Sequence, residues 1–154
     1  MNADFYPKTP NAIIRNARCH DALAVAGLLA TLGYPSLVED VEQRIADCED
    51  SVHTIVFVAE SDSHIVGALS FHCIPLFHAE GYLGRITSLI VAPDYRQRGI
   101  GRLLVFAAEQ FAWSRRCIRV EVTSGDHRSE THAFYEHLGY QLDCRRFIKH
   151  DRNV

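Results

Sequence analysis

The chain has 154 residues, 47% of them hydrophobic and 23% charged, which is enough for one domain with a substantial core and too short for two ordinary ones. This is the composition of a folded globular chain, and its net charge of −3 argues against nucleic acid as a partner, since binding nucleic acid needs a basic footprint. The five cysteines are odd in number and form no C-x-x-C pair, so neither a disulfide framework nor a metal site is expected.

No signal peptide and no apolar run of about 18 residues is present, which predicts a cytoplasmic chain with reduced thiols and no membrane partner. Residues 1–10, with Pro7 and Pro10, read as a flexible arm ahead of a single domain over 11–154. Ala12 to Asn16 reads as a first strand. Asp21 then stands where a cap would serve a helix over Ala22 to Leu32, and Gly33-Tyr34-Pro35 ends it. A second helix is expected from near Ser36, with Leu37, Val41, Ile45 and Cys48 on one face.

His53 to Ala59 and Ile65 to Ile74 are β-rich runs on either side of a polar turn, which predicts a hairpin. A third run, Tyr82 to Val91, follows a His-containing loop. From Gly99 to Arg115, positions Ile100, Leu103, Leu104, Ala107, Ala108 and Phe111 form a buried helical stripe. Cys117 to Thr123 alternates as a strand, and the strand, helix, strand order predicts one parallel pairing with a right-handed crossover. A short helix from about Arg128 to Leu138, ended by Gly139, leads to a last strand over Tyr140 to Lys149. The whole reads as one α/β domain with a mostly antiparallel sheet.

The stretch from Ile86 to Leu104, ITSLIVAPDYRQRGIGRLL, places a β-rich run, a basic glycine-bearing turn and a helix start in direct succession. A helix start carries N–H groups without intrahelical acceptors and the positive end of the macrodipole. Gly99 and Gly101 remove the Cβ atoms that would keep an anion away, and Arg96, Arg98 and Arg102 add phosphate-matched donors. Taken alone, the same residues serve equally well as a tight turn with solubilising charge. A Walker loop is excluded because Arg102-Leu103 stands where Lys-Ser/Thr is required, and a dinucleotide fingerprint is excluded by Leu104.

Arg96, Gly99 and Gly101, preceded by Val91 and Pro93, fill the pattern R/Q-x-x-G-x-G/A after V-x-P, and this resembles the acetyl-CoA-binding motif of the GCN5-related N-acetyltransferases. The segment Ala133-Phe134-Tyr135, with Gly139 and Tyr140, resembles that family's second signature. The resemblance implies a sheet of six to seven strands, mixed and mostly antiparallel, with about four helices, and acetyl-CoA as cosubstrate. By position it puts pantetheine contacts on Leu89, Ile90 and Val91, and pyrophosphate contacts on Arg96, Gln97, Arg98, Gly99, Ile100, Gly101 and Arg102. Homodimers are common in the family, so the resemblance admits one here.

Acetyl transfer to an amine needs a neutral amine and benefits from a proton donor to the leaving thiolate. The resemblance makes Tyr135 the donor; on its own sequence, sharing a helical face with Thr131, Phe134 and Leu138, it reads first as an inward-packed tyrosine. Glu121, where some relatives place a base, is the base candidate, and its plainer reading is a strand-face carboxylate paired with Arg119 or solvent. Glu80 and His78 are weaker candidates acting through water. His127 and Arg128 stand where relatives carry an asparagine that touches pantetheine.

His132 and His137 are five apart, the wrong spacing for a helical metal pair. Cys73 and Cys117 lie in apolar β-runs and read as inert thiols, which favours direct transfer over an acetyl-cysteine intermediate. The layout from Phe71 to Ile86 looks closest to small-molecule acetyltransferases of the aminoalkylphosphonate and aminoglycoside type, and Arg85 would suit an anionic acceptor. The alternatives are acetylation of a protein or peptide N-terminus, and an acetyl-CoA-binding regulator without turnover.

Overall fold

The computed structural model describes residues 11–124, 129–143 and 146–151. The arm expected at residues 1–10, and His127 and Arg128, lie outside them. The chain divides into two compact units, one ending at Thr123 and one beginning at Ser124.

In the first unit, five strands lie side by side in chain order: β1 Ile13–Asn16, β2 Thr54–Ser61, β3 His64–Pro75, β4 Tyr82–Val91 and β5 Cys117–Val122. The first four pair antiparallel, and β5 runs parallel to β4 after the crossover helix α3, Ile100–Ser114, as the element order predicts. The β2–β3 connection is tighter than expected. Asp62 and Ser63 both take positive φ, +49° and +64°, which is the backbone of a two-residue hairpin turn.

Period-two alternation assigns the helices to opposite faces of the sheet. Val58, Ala68 and Ile90 bury against α1, Ala22–Thr31, and α2, Val38–Glu49. The neighbouring side chains Phe57 and Phe71 turn the other way, edge-on to the ring of Phe111 on α3 at centroid distances of 6.3 and 6.0 Å. Leu104, Val105, Ala108 and Ala112 complete that second layer, each nearly or fully buried. On α2 the inward face is carried by Val41 and Ile45; Leu37, expected on it, precedes the helix and stays exposed.

Asp21 does not cap α1. It is buried and accepts from the backbone N–H of Arg18 at 2.8 Å, closing the short turn Cys19–Asp21 before the helix.

The β3–β4 pairing carries one bulge. Ser70 pairs with Ser88 and Phe71 with Ile86, so Thr87 has no residue opposite it. The extra residue reverses the parity of β4. Before it, Gly84 faces Phe71 on the α3 side; beyond it, Ile90 packs into the core under α1 and α2.

The second unit holds α4, Ser129–His137. Gly139, at φ +90°, closes it: the Gly139 N–H donates to the Glu136 carbonyl and the Tyr140 N–H to the Tyr135 carbonyl, both at 3.0 Å. This is the left-handed cap read from the sequence. The last strand expected over Tyr140 to Lys149 is absent among the described residues, where residues 140–143 and 146–149 join no ladder. Phe147 and Ile148 are adjacent, so the run offers no single apolar face to a sheet, and both are exposed. The described sheet therefore has five strands where six to seven were expected, with four helices.

Candidate active site

β4 ends at Val91, and Pro93–Tyr95 makes a single tight turn before the basic loop. The Arg96 Nε donates to the Val91 carbonyl at 3.1 Å, tying the loop to the strand end. Arg98 lies over the Tyr95 ring at 5.0 Å. Gln97 takes φ +58° and Gly99 φ +83°, two left-handed residues that turn the chain sharply into α3.

Gly99 is the N-cap of α3 and brings no capping side chain. The N–H groups of Ile100, Gly101 and Arg102 make up the first helical turn, where intrahelical acceptors are missing, and together with the dipole of a fifteen-residue helix they present a donor cluster to an external anion.

Beside this loop the sheet opens. β5 pairs with β4 only from Tyr82 to Ile86, so the β4 edge from Thr87 to Val91 has no strand partner on that side among the described residues. Leu89, Ile90 and Val91 lie on this edge. An open backbone edge can hydrogen-bond an extended chain that carries amides.

The opening coincides with the bulge. Thr87 and Ser88, consecutive residues that would alternate in a regular strand, both reach the Ser70 hydroxyl at 2.6 Å. The Thr87 hydroxyl also meets His72 Nε2 at 2.9 Å, and His72 Nδ1 meets the Thr54 hydroxyl at 3.2 Å. Burial holds the half-buried His72 imidazole below its ordinary pKa, so it is neutral at physiological pH.

Thr87 and Ser88 form one wall of a cleft of about 300 Å³. Leu29, Leu32 and Tyr34, at the end of α1, form the other wall with Ser36 and Arg44, whose Nη1 donates to the Ser36 hydroxyl at 3.2 Å.

Glu121 lies opposite Arg85 across the parallel pair. Arg85 Nη2 donates to its Oε2 and Arg119 Nε to its Oε1, both at 2.7 Å. Each oxygen of the expected base is thus already bound to a guanidinium, and Arg85, expected to meet an anionic acceptor, is paired within the sheet. Glu80 and His78 are exposed on the loop before β4.

Cys73 and Cys117 are buried with their sulfurs 3.6 Å apart. Burial, reinforced by the neighbouring thiol, pushes the Cys117 pKa up to about 12. A thiol so strongly protonated is a poor acetyl acceptor.

In the second unit, Tyr135 is buried between the rings of Phe134 and Tyr140, with centroids at 5.0 and 5.5 Å. Burial raises its phenol to about 12, so it keeps its proton at neutral pH.

Sequence reasoning passed over His72, Thr54 and the Thr87-Ser88 pair. Their alignment comes from strand register and one bulge, and the only signal in the sequence was a polar run, Thr87-Ser88, inside an apolar strand.

Comparison with known proteins agrees with this geometry. Residues 25–140 match the acetyltransferase (GNAT) family. Over 92 residues the chain is 30% identical to the aminoalkylphosphonate N-acetyltransferase of Salmonella typhimurium, covering 60% of each chain. Over 93 residues it is 32% identical to the glucosamine 6-phosphate N-acetyltransferase of Trypanosoma brucei brucei, covering 60% of this chain and 61% of that one. The aligned part thus spans about three fifths of these relatives' length. A crystal structure of an acetyltransferase from Trypanosoma brucei superposes with a TM-score of 0.77 at 25% identity, covering 90% of this chain and 99% of that one. With the glycine-led start of α3 and the split between β4 and β5, these matches establish that the chain belongs to the acetyltransferase (GNAT) family.

Proposed function

We propose that this protein transfers the acetyl group of acetyl-CoA to the primary amine of a small molecule, directly and within a ternary complex. The observation that carries the reading is the start of α3, where Gly99 leaves a turn of backbone donors uncapped directly after a strand whose edge is open. The backbone N–H groups from Gln97 to Arg102, with the guanidiniums of Arg96, Arg98 and Arg102, hold the pyrophosphate. The edge at Leu89, Ile90 and Val91 pairs with the pantetheine amides. Tyr135 gives its proton to the departing sulfur, a role suited to a phenol that stays protonated at neutral pH. The strongly protonated Cys117 thiol supports direct transfer over an acyl-enzyme route.

The small-molecule acceptor is supported by the two relatives named above, whose names give an aminoalkylphosphonate and glucosamine 6-phosphate as substrates. A cleft of about 300 Å³ suits a compact acceptor better than a folded protein surface. Glu121 enters the proposal in a changed role: with both oxygens bound it fixes Arg85, and the acceptor's proton goes elsewhere.

The test is release of free CoA from acetyl-CoA against small amines, aminophosphonates, aminoglycosides and short peptides, with Tyr135→Phe alongside wild type. Turnover on a small amine is expected, with kcat reduced by about 100-fold in the variant. Turnover on peptides alone would favour N-terminal acetylation, and binding without turnover would favour a regulator.

A further inference from the structure

We propose that the Thr87 hydroxyl and the His72 imidazole form the relay that takes the proton from the acceptor's ammonium group. The inference rests on the acetyl transfer proposed above. Four observations support it. Thr87 lines the cleft, so its hydroxyl meets whatever binds there. Its oxygen lies 2.9 Å from His72 Nε2, within direct proton-transfer distance. Thr54, 3.2 Å from Nδ1, can accept the Nδ1–H and so select the tautomer whose Nε2 lone pair faces Thr87. The bulge leaves Thr87 with no residue opposite it, and directs its side chain to the same face as Ser70 and His72.

The step balances without a co-reactant. The ammonium gives a proton to the Thr87 oxygen as the Thr87 O–H proton passes to His72 Nε2, leaving a neutral amine and an imidazolium. Attack on the thioester then forms the C–N bond and breaks the C–S bond; the departing sulfur takes the Tyr135 phenol proton, and the nitrogen gives its second proton to water, from which the phenoxide is reprotonated. The imidazolium loses its proton to water after product leaves, so one proton is released per turnover.

The charged groups around His72 do not oppose this assignment. Opposite it on β4 is Arg85, and beyond that on β5 are Glu121 and Arg119; these three bind one another. On the β2 side, Thr54 shares a cavity with Glu49 and Asp50 at the end of α2, and with Arg115. Burial keeps the imidazole neutral to a lower pH than an exposed histidine, which leaves it able to accept across the physiological range.

The measurement is kcat/KM from pH 6 to 10 for wild type, His72→Gln and Thr87→Val, using an acceptor found active in the CoA-release assay. Glutamine keeps a polar group at position 72 without the ability to take a proton, and valine keeps the shape of Thr87 without the hydroxyl. Both variants should lose about 100-fold at pH 7, and the deficit should close as pH approaches the amine's own pKa of about 10. Thr87→Ser should restore the wild-type profile. A deficit that is equal at every pH, or no deficit at pH 7, would overturn the relay while leaving the acetyltransferase reading intact. Absence of turnover in wild type would overturn both.

Discussion

Arg15 is gripped by two carboxylates from different parts of the chain. Its Nη1 and Nη2 donate to Asp21 at 2.8 and 2.9 Å, and its Nε to Glu60 at 2.8 Å. The guanidinium holds the Asp21 carboxyl below the usual carboxylate range. A depressed folded-state pKa gives stability that is present above the unfolded value of about 3.9 and lost as pH falls through the folded value. Acid unfolding should therefore have a component from Asp21 that Asp21→Asn removes. At pH 7 the same variant should unfold more easily by about 1–3 kcal/mol in urea, the cost of leaving Arg15 half-satisfied. The sequence showed Asp21 in a capping position, and the structure gives it a longer-range task. A short acidic residue before a helix looks the same in both cases, because the partner that decides its role lies in a preceding strand.

Elements were legible where a period runs long enough to average out exceptions. The stripe on α3 is buried as read at Ile100, Leu104 and Ala108, while Leu103, Ala107 and Phe111 are only partly buried and Val105 and Ala112 are buried beside them; the hairpin of β2 and β3 was visible from two β-rich runs and a polar break. The bulge was not legible, because it is a difference in count between two strands and leaves no mark in either alone. It decides which face Arg85, Thr87 and Ser88 occupy, so the polar lining of the cleft was hidden with it. The ion pair from Arg85 to Glu121 was hidden for the same reason, since parallel register is set by a crossover and not by local sequence. The last strand was read from a run too irregular to make a face.

Gly84 shows how tightly register is fixed. A Cβ there would stand 2.5 Å from the Phe71 ring and 3.2 Å from the Arg119 carbonyl. Gly84→Ala should push the ring toward Phe111 and destabilise the protein by about 1–3 kcal/mol, read as a fall in Tm, while leaving acetyl-CoA affinity unchanged.

At the scale of the molecule, the sheet separates two tasks. The α3 face is a closed apolar layer, with Leu104, Ala108 and Ala112 fully buried. The face under α1 and α2 is apolar near Val58, Ala68 and Ile90, and polar at Ser70 and His72. No helix among the described residues is long and apolar enough to cross a membrane. A closed apolar layer behind and a polar cleft in front suit the transfer proposed above, in which positioning the amine against the thioester would supply much of the rate. The fold and the loop were legible because both rest on local pattern; the acceptor side depends on contacts between distant residues.

The central claim is that the turn from Arg96 to Arg102 is the anion site for coenzyme A. Its most direct test is a calorimetric titration of acetyl-CoA into wild type and Gly99→Val, with circular dichroism to confirm that both are folded. A β-branched residue at φ +83° strains the turn by about 1–2 kcal/mol and adds a side chain at the N-cap of α3, where an anion needs an open approach to the backbone. We predict saturable binding to wild type and at least about tenfold weaker binding to the variant, the loss expected from roughly 1.4 kcal/mol. Equal affinity in two folded proteins, or no binding to wild type, would contradict the account.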